Sequence, residues 1–437
     1  MTKKDKFKAK KYLHFDNRIE FKNVESYVTN QNKISKHSFF PLIHYTIEYE
    51  MYNEDYIDAR DDKRPIKEKT RDIMYASHLD NFIYKYYGEE LNKQYNEWSA
   101  RHLIDDCSIA YRDNKLRKSN IDFAAEVINM IRMFKDCFIM VGDFEKFFDR
   151  LDHAFLKERI MDVLDVKLLS EDWYKVFKSI TQYSYIEKDF LNLKLGTDRE
   201  IKAKRQFKYF ETFKDFRNFK KEHRCVKRNI NNFGIPQGSA ISAVFANVYT
   251  TIFDKKVKTL VDKYSGIYRR YSDDFILIVP KDICGKRIDV DEFMKIVEKT
   301  YQFIIEEKLH IQEEKTQLFE INASNIINLS DKTNCKIDYL GFVYDGENVA
   351  MRSKSPYKFY RKAYKLIDQA KKIKAKKGLK RIPYKRDIYR LYTDLGVNCG
   401  DYGNFITYAK NSQKIFNEVS PTTNNLMLQQ IKNRKGK

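Results

Sequence analysis

Residues 269–280 read Arg-Arg-Tyr-Ser-Asp-Asp-Phe-Ile-Leu-Ile-Val-Pro. The apolar run Phe275 to Val279 has the length and composition of a buried strand, and Pro280 closes it. Ser272-Asp273-Asp274 ahead of it has the short polar character of a turn, so this stretch is expected to form a β-hairpin with acids at its tip. Side chains alternate faces along a strand, so two successive Asp residues do not both enter an apolar core. Paired carboxylates on a rigid support suit a divalent cation. For an isolated Asp-Asp a solvated turn explains as much, and the rest of the chain decides.

The second acid lies upstream. Cys137 to Val141 is another buried-strand signal, and it runs through Gly142 into Asp143. An acid at the carboxyl end of an apolar strand, before a helix, is where catalytic groups are commonly carried. Asp149 and Asp152 follow where helix capping accounts for them. Between the two acidic sites, Phe233-Gly-Ile-Pro-Gln-Gly-Ser-Ala240 forms a Gly/Pro loop opening a small-residue helix from Ile241 to Thr250, where glycines permit a close approach of ligand to backbone. If the Asp143 and Asp273-Asp274 strands are neighbours, their carboxylates converge on a site able to hold two Mg²⁺ ions for phosphoryl transfer.

Composition agrees with a nucleic-acid partner. The 437-residue chain carries 83 Lys+Arg against 62 Asp+Glu, a net charge of +21, and 15% aromatic residues. Cations for phosphates and rings for bases are what such a partner needs. The length predicts more than one subdomain. Six dispersed cysteines without a C-x-x-C pair indicate neither a disulfide framework nor a zinc site, and no apolar run has membrane-spanning length. A soluble cytoplasmic protein is the expectation.

Arg71 to Tyr95 has helical apolar spacing and predicts one or two amphipathic helices. Ser108 to Tyr111 reads as a short strand entering the basic turn Arg112 to Asn120, and a helix follows from Asp122 to Phe134. That turn suits a triphosphate and a solvated loop equally. The segment 188–229 interleaves cations with Phe210, Phe213 and Phe216, a spacing that favours a packed helix over a stacking platform. Lys315-Thr316 is expected on a strand, Tyr339 to Gly346 as a hairpin, and the chain beyond Ser355 as basic helix.

Tyr271-Ser-Asp-Asp274 resembles the Tyr-x-Asp-Asp box of reverse transcriptases, and the other boxes stand in order around it. Asp143 to His153, Gly234 to Ser239, Lys315-Thr316 and Tyr339-Leu340-Gly341-Phe342 resemble the remaining palm motifs and the primer-grip hairpin. The wording at Arg71 to Asp80, Ala110 to Arg112 and Lys118 to Ala124 is similar to the bacterial abortive-infection and unknown-group antiviral branch. The resemblance implies an α+β right hand with an antiparallel palm sheet, helical fingers and an α-helical thumb. It implies an N-terminal extension over 1–65, fingers over 66–142 with part of 155–230, a palm over 143–350 with a basic aromatic insertion at about 188–229, and a thumb over 351–437.

The resemblance further implies catalytic and metal roles for Asp143, Asp273 and Asp274 with two Mg²⁺ ions. Arg112, Lys115, Gln237, Gly238 and Lys315 would face the nucleotide, and Phe148 would be the gate that rejects a ribose 2′-hydroxyl. Tyr271, Tyr339, Leu340 and Gly341 would meet primer and template. The expected partners are dNTPs, an RNA or DNA template-primer, and a dedicated non-coding RNA or second defence protein, with no membrane. Oligomeric state is left open. The competing expectations are a nucleic-acid-binding protein with a vestigial site, and a template-independent or protein-primed terminal polymerase.

Overall fold

The structure is a computed structural model that describes residues 7–52, 66–115, 118–283, 285–397 and 403–417. Most of the acidic patch expected between Glu48 and Asp62, Arg117, and the C-terminal segment from residue 418 lie outside the described residues. In chain order the strands are β1 (Leu42–Tyr52), β2 (Ile66–Tyr75), β3 (Asp136–Asp143), β4 (Ser184–Glu187), β5 (Lys227–Arg228), β6 (Ile267–Tyr271) and β7 (Asp274–Pro280). They continue as β8 (Asp282–Ile283), β9 (Lys286–Arg287), β10 (Gln317–Asn322), β11 (Asn325–Asn328), β12 (Ile337–Tyr339), β13 (Phe342–Tyr344) and β14 (Val349–Met351).

The central sheet has the order β11-β10-β3-β7-β6, antiparallel throughout. Its two middle strands are apolar because both faces are covered, and the period of two sorts their side chains between two cores. Phe138 and Met140 of β3, with Phe275, Leu277 and Val279 of β7, enter the core beneath helices Ser242–Tyr249, Thr251–Asp262 and Val290–Glu306. Cys137, Ile139, Ile276 and Ile278 enter the opposite core, which contains helix Asn120–Phe134 and the small sheet β12-β13-β14. The fold is therefore α+β with an antiparallel sheet at its centre, as the sequence predicts.

A second sheet, β2-β1-β4-β5, stands beside it. Here the structure corrects the sequence-based expectation: Arg71 to Tyr75 is not helical but ends β2, paired residue by residue with β1, and the helix begins only at His78 behind a Ser77 cap. The helical spacing downstream masked a strand whose residues Lys67 to Asp72 are consecutively polar and exposed. Ser108 to Tyr111 likewise forms no strand, only an isolated bridge from Ser108 to Arg270. The boundary expected at residue 65 falls between the paired strands β1 and β2. N-terminal residues are built into the body of the molecule: Phe15 stacks on Phe216 with ring centroids 4.4 Å apart, and Phe21 packs edge-on to Phe82.

The aromatic segment packs as its spacing predicts at two of three positions. Phe210 and Phe216 are buried, with Phe219 beside them, while Phe213 at the start of helix Phe213–His223 is 59% exposed. Helix Lys354–Lys376 leans back onto β1, where Arg361 pairs with Glu50 and the Lys358 ammonium lies 5.6 Å from the Tyr49 ring centroid. No described helix is long and apolar enough to cross a membrane.

Candidate active site

The register of the central sheet brings the acids together. Asp143, the last residue of β3, is the direct cross-strand partner of Asp274, the first residue of β7. Antiparallel partners hold their Cβ atoms about 4.5–5.5 Å apart. Asp273 sits one residue earlier, in the two-residue turn between β6 and β7. The Phe144 N–H donates to the Asp273 carbonyl at 3.0 Å, and the Gln312 N–H donates to the Asp143 carbonyl at 2.9 Å. Gly142 precedes Asp143 because the Phe275 ring lies across it; a Cβ there would come within 2.4 Å of that ring.

The turn is anchored from below by Arg270. Its guanidinium is completely buried and donates to both carboxylate oxygens of Asp254, from Nε at 2.8 Å and from Nη2 at 2.7 Å. Its Nη1 donates to the Ser272 carbonyl at 2.8 Å, and the Tyr268 hydroxyl donates to Asp254 at 2.7 Å. Ser272 takes a left-handed conformation with φ of 62°, which a tight turn between two strands demands. A bidentate buried pair thus fixes the carbonyl immediately ahead of Asp273.

Negative charge accumulates at this tip. Withdrawal from water raises the Asp273 carboxyl above its usual range, Asp143 adds to the shift, and Arg71 opposes it. Asp274 is open to solvent on one side, yet partial withdrawal from water, then Asp273 and Asp143, push it up to about 7 against the pull of Arg352 and Lys315. The Lys315 ammonium donates to Asp143 Oδ2 at 2.9 Å. Lys315 lies in a short 3₁₀ turn, Glu313–Lys315, and the strand expected around it starts two residues later at Gln317. Among the described residues, no group of three or more His, Cys, Asp or Glu side chains is placed so as to hold a metal ion by itself. Carboxylates crowded at an open strand end fit Mg²⁺, which is usually held by one or two carboxylates together with water and substrate phosphates.

The Gly/Pro loop faces a different neighbour from the one its glycines suggest. A Cβ on Gly238, whose φ is 108°, would lie 2.6 Å from the Met74 carbonyl of β2, and a Cβ on Gly234 would lie 2.9 Å from the Asp149 carbonyl. The glycines admit protein backbone rather than ligand. The Gln237 carbonyl accepts from the Met74 N–H at 2.8 Å, so β2 is clamped over this loop, with Arg71 three residues upstream of the clamp. Phe148 is half-buried against the core, and its carbonyl accepts from the Ile235 N–H at 2.9 Å. The gate candidate and the loop are thus one hydrogen-bonded unit.

Several expected contacts are corrected. Arg112 is not presented to a triphosphate: its side chain is fully buried, donates to Asp105 and Asn96, and lies 4.9 Å from the Tyr95 ring centroid. Lys115 is held by the same Asp105 at 2.6 Å. Tyr339 is 2% exposed and packs in the core rather than facing a primer. Leu340 and Gly341 form the predicted turn of the β12–β13 hairpin, both with positive φ, and the Leu340 carbonyl accepts from Asn120. Tyr271 is half-buried beside Phe123, near Tyr111 and Asp274. Arg71, Arg352 and Arg270 were missed as site residues. No local signal puts Arg71 on a strand, since Lys67 to Asp72 are consecutive exposed polar residues placed only by pairing with β1; Arg352 is reached only through β14, which carries no motif.

The family described as reverse transcriptase (RNA-dependent DNA polymerase) matches residues 79–344. No curated protein matches the chain. Among solved structures, apo telomerase from Candida tropicalis truncated from its C-terminal domain superposes with a TM-score of 0.43 at 15% identity, over 76% of this chain and 61% of that one. Telomerase from Candida albicans in complex with a TWJ fragment of telomeric RNA superposes with a TM-score of 0.40 at 12% identity, over 76% and 49%. The chain spans about half to three fifths of the length of these two proteins.

Proposed function

Because the chain belongs to the reverse transcriptase (RNA-dependent DNA polymerase) family, we propose that it is an RNA-directed DNA polymerase that adds dNTPs to a 3′-hydroxyl. The observation that carries the reading is the register of Asp143 opposite Asp274 with Asp273 in the adjoining turn. Phosphoryl transfer asks for positioning and charge stabilisation more than for a protein nucleophile. In this reading Asp143, Asp273 and Asp274 hold two Mg²⁺ ions, which when bound would favour the hydroxyl nucleophile and offset charge on the leaving pyrophosphate.

The remaining roles belong to the chain's own side chains. Arg270 holds the Ser272 carbonyl and with it the angle of the acidic turn. Lys315, 2.9 Å from Asp143 and half exposed, supplies a cation where pyrophosphate charge develops. Arg71 takes the nucleotide-facing role first expected of Arg112, because it shares the field of Asp273 from the strand clamped over Gln237. Phe148 excludes a 2′-hydroxyl, and Tyr271 lies beside the primer terminus. The wording at Arg71 to Asp80 supports a place in phage defence, with a dedicated non-coding RNA or a second defence protein as partner. Purified protein given Mg²⁺, a primed RNA template and labelled dNTPs tests the reading; absence of DNA product under these conditions overturns it.

A further inference from the structure

A cavity of about 660 Å³ lies apart from the acidic turn, between helix Glu171–Thr181, the β4–β5 ribbon and the loop that leads into Gly234. Its volume is within the roughly 300–1,000 Å³ of ordinary ligand pockets. Lys175, Lys178 and Arg228 line it, and no carboxylate does. The first two lie three residues apart on one helix and so share a face. Arg228 shares a ribbon face with Ser184, its cross-strand partner, which also lines the cavity. Its neighbour Lys227 points the other way and is spent on Glu187 at 2.9 Å. Alternation along two residues therefore separates a cation bound within the protein from one left for a ligand. None of the three cavity cations has an ion-pair partner among the described residues.

Apolar surface accompanies the charge. The half-buried Phe39 ring, backed by Tyr84 at 5.2 Å, forms part of the wall, and Ile230 stands 92% exposed at the rim. Asn229 joins this cavity to the nucleotide loop: its side-chain amide donates to the Thr181 carbonyl at 2.9 Å and to the Phe233 and Gly234 carbonyls at 3.0 and 3.3 Å. Cations without acids select phosphates, and an apolar ring beside them selects bases that are free to stack. A duplex keeps its bases stacked inward and offers only its backbone.

We propose that this cavity binds single-stranded nucleic acid, gripping its phosphodiester backbone with Lys175, Lys178 and Arg228, and that the strand is template not yet copied. The strand's identity as template rests on the polymerase reading above; the binding does not. Fluorescence anisotropy with a labelled single-stranded RNA of about 15 nucleotides, across a salt series, tests it directly. The variant Lys175→Glu/Lys178→Glu/Arg228→Glu changes only partly or fully exposed side chains, and an unchanged melting temperature shows that it folds. Its affinity is expected to fall at least tenfold at low salt, and the slope of log K against log[salt] to shrink by about 2, near 0.7 for each lost phosphate contact.

The control Lys255→Glu/Lys263→Glu/Lys295→Glu carries the same charge change on exposed positions of helices behind the sheet and just beyond. It is expected to bind nearly as wild type. Equal weakening by the two triple variants, unchanged binding by the first, or equal weakening toward a blunt duplex would each overturn the proposal. Extension on a long template overhang is expected to suffer more than single-nucleotide addition on a one-nucleotide overhang. If the wild-type protein makes no DNA at all, the polymerase reading fails while the binding result stands by itself.

Discussion

Replacing Arg270 by Met tests how the acidic turn is held. The guanidinium makes four hydrogen bonds in a fully buried setting, two to Asp254, one to the Ser272 carbonyl and one to Asn247 at 3.3 Å. Arg270→Met leaves the Asp254 carboxylate buried with the Tyr268 hydroxyl, a charge without its counter-charge. Removal of one partner from such a pair costs about 3–5 kcal/mol, whereas replacing both by apolar groups is often neutral. Urea unfolding followed by circular dichroism is expected to show a loss of that size for Arg270→Met and recovery of most of it in Arg270→Met/Asp254→Leu. The double variant separates stability from positioning. Its Ser272 carbonyl still lacks the 2.8 Å donor, so nucleotide incorporation is expected to stay depressed after stability returns. Equal losses in the single and double variants would refute the buried-pair account. Full recovery of incorporation in the double variant would refute the positioning role.

Three further outcomes are expected. Gly238→Ala sets a Cβ 2.6 Å from the Met74 carbonyl at a φ of 108°, so a destabilisation of about 1–3 kcal/mol and a lower melting temperature should follow; a wild-type melting curve would contradict the clamp of β2 on the loop. Burial, with a smaller contribution from His78, pushes the His14 ring down to about 3, and its Nδ1 accepts from the Phe15 N–H at 2.9 Å, so the folded protein resists the proton that the unfolded chain takes up near 6.5. The stability from neutral His14 is complete above about 6.5 and declines toward pH 3 at up to about 1.4 kcal/mol per pH unit, and His14→Asn, which keeps an acceptor, should flatten this acid limb in pH-dependent unfolding. Phe148→Ala should raise ribonucleotide incorporation relative to deoxynucleotides by tenfold or more in competition assays, while an unchanged ratio would remove Phe148 from the gate.

What could be read from the sequence divides along physical lines. Strands buried on both faces announce themselves, since Cys137 to Val141 and Phe275 to Val279 must be apolar whatever lies around them, and the acids at their ends followed. The β12–β13 turn was legible through Gly341, which takes a positive φ without strain, whereas the positive φ of Leu340 has no sequence signal. Strand β2 was not, because its residues from Lys67 to Asp72 are exposed and polar, and its place is fixed by pairing with β1 and by the Gln237–Met74 clamp, both long-range. Arg112 illustrates the other limit. A cation in a basic turn looks the same in sequence whether it faces solvent or is turned inward onto Asp105, and only the fold distinguishes them.

The central claim is that Asp143, Asp273 and Asp274 form one phosphoryl-transfer site, and the most direct measurement is Mg²⁺-dependent incorporation of labelled dNTPs by wild-type protein and Asp273→Asn on a primed RNA template. Asn keeps the shape of the turn and removes the charge. Wild-type protein should make DNA, and Asp273→Asn, folded to the same melting temperature, should lose at least a thousandfold in rate. Incorporation that persists in Asp273→Asn would contradict the account.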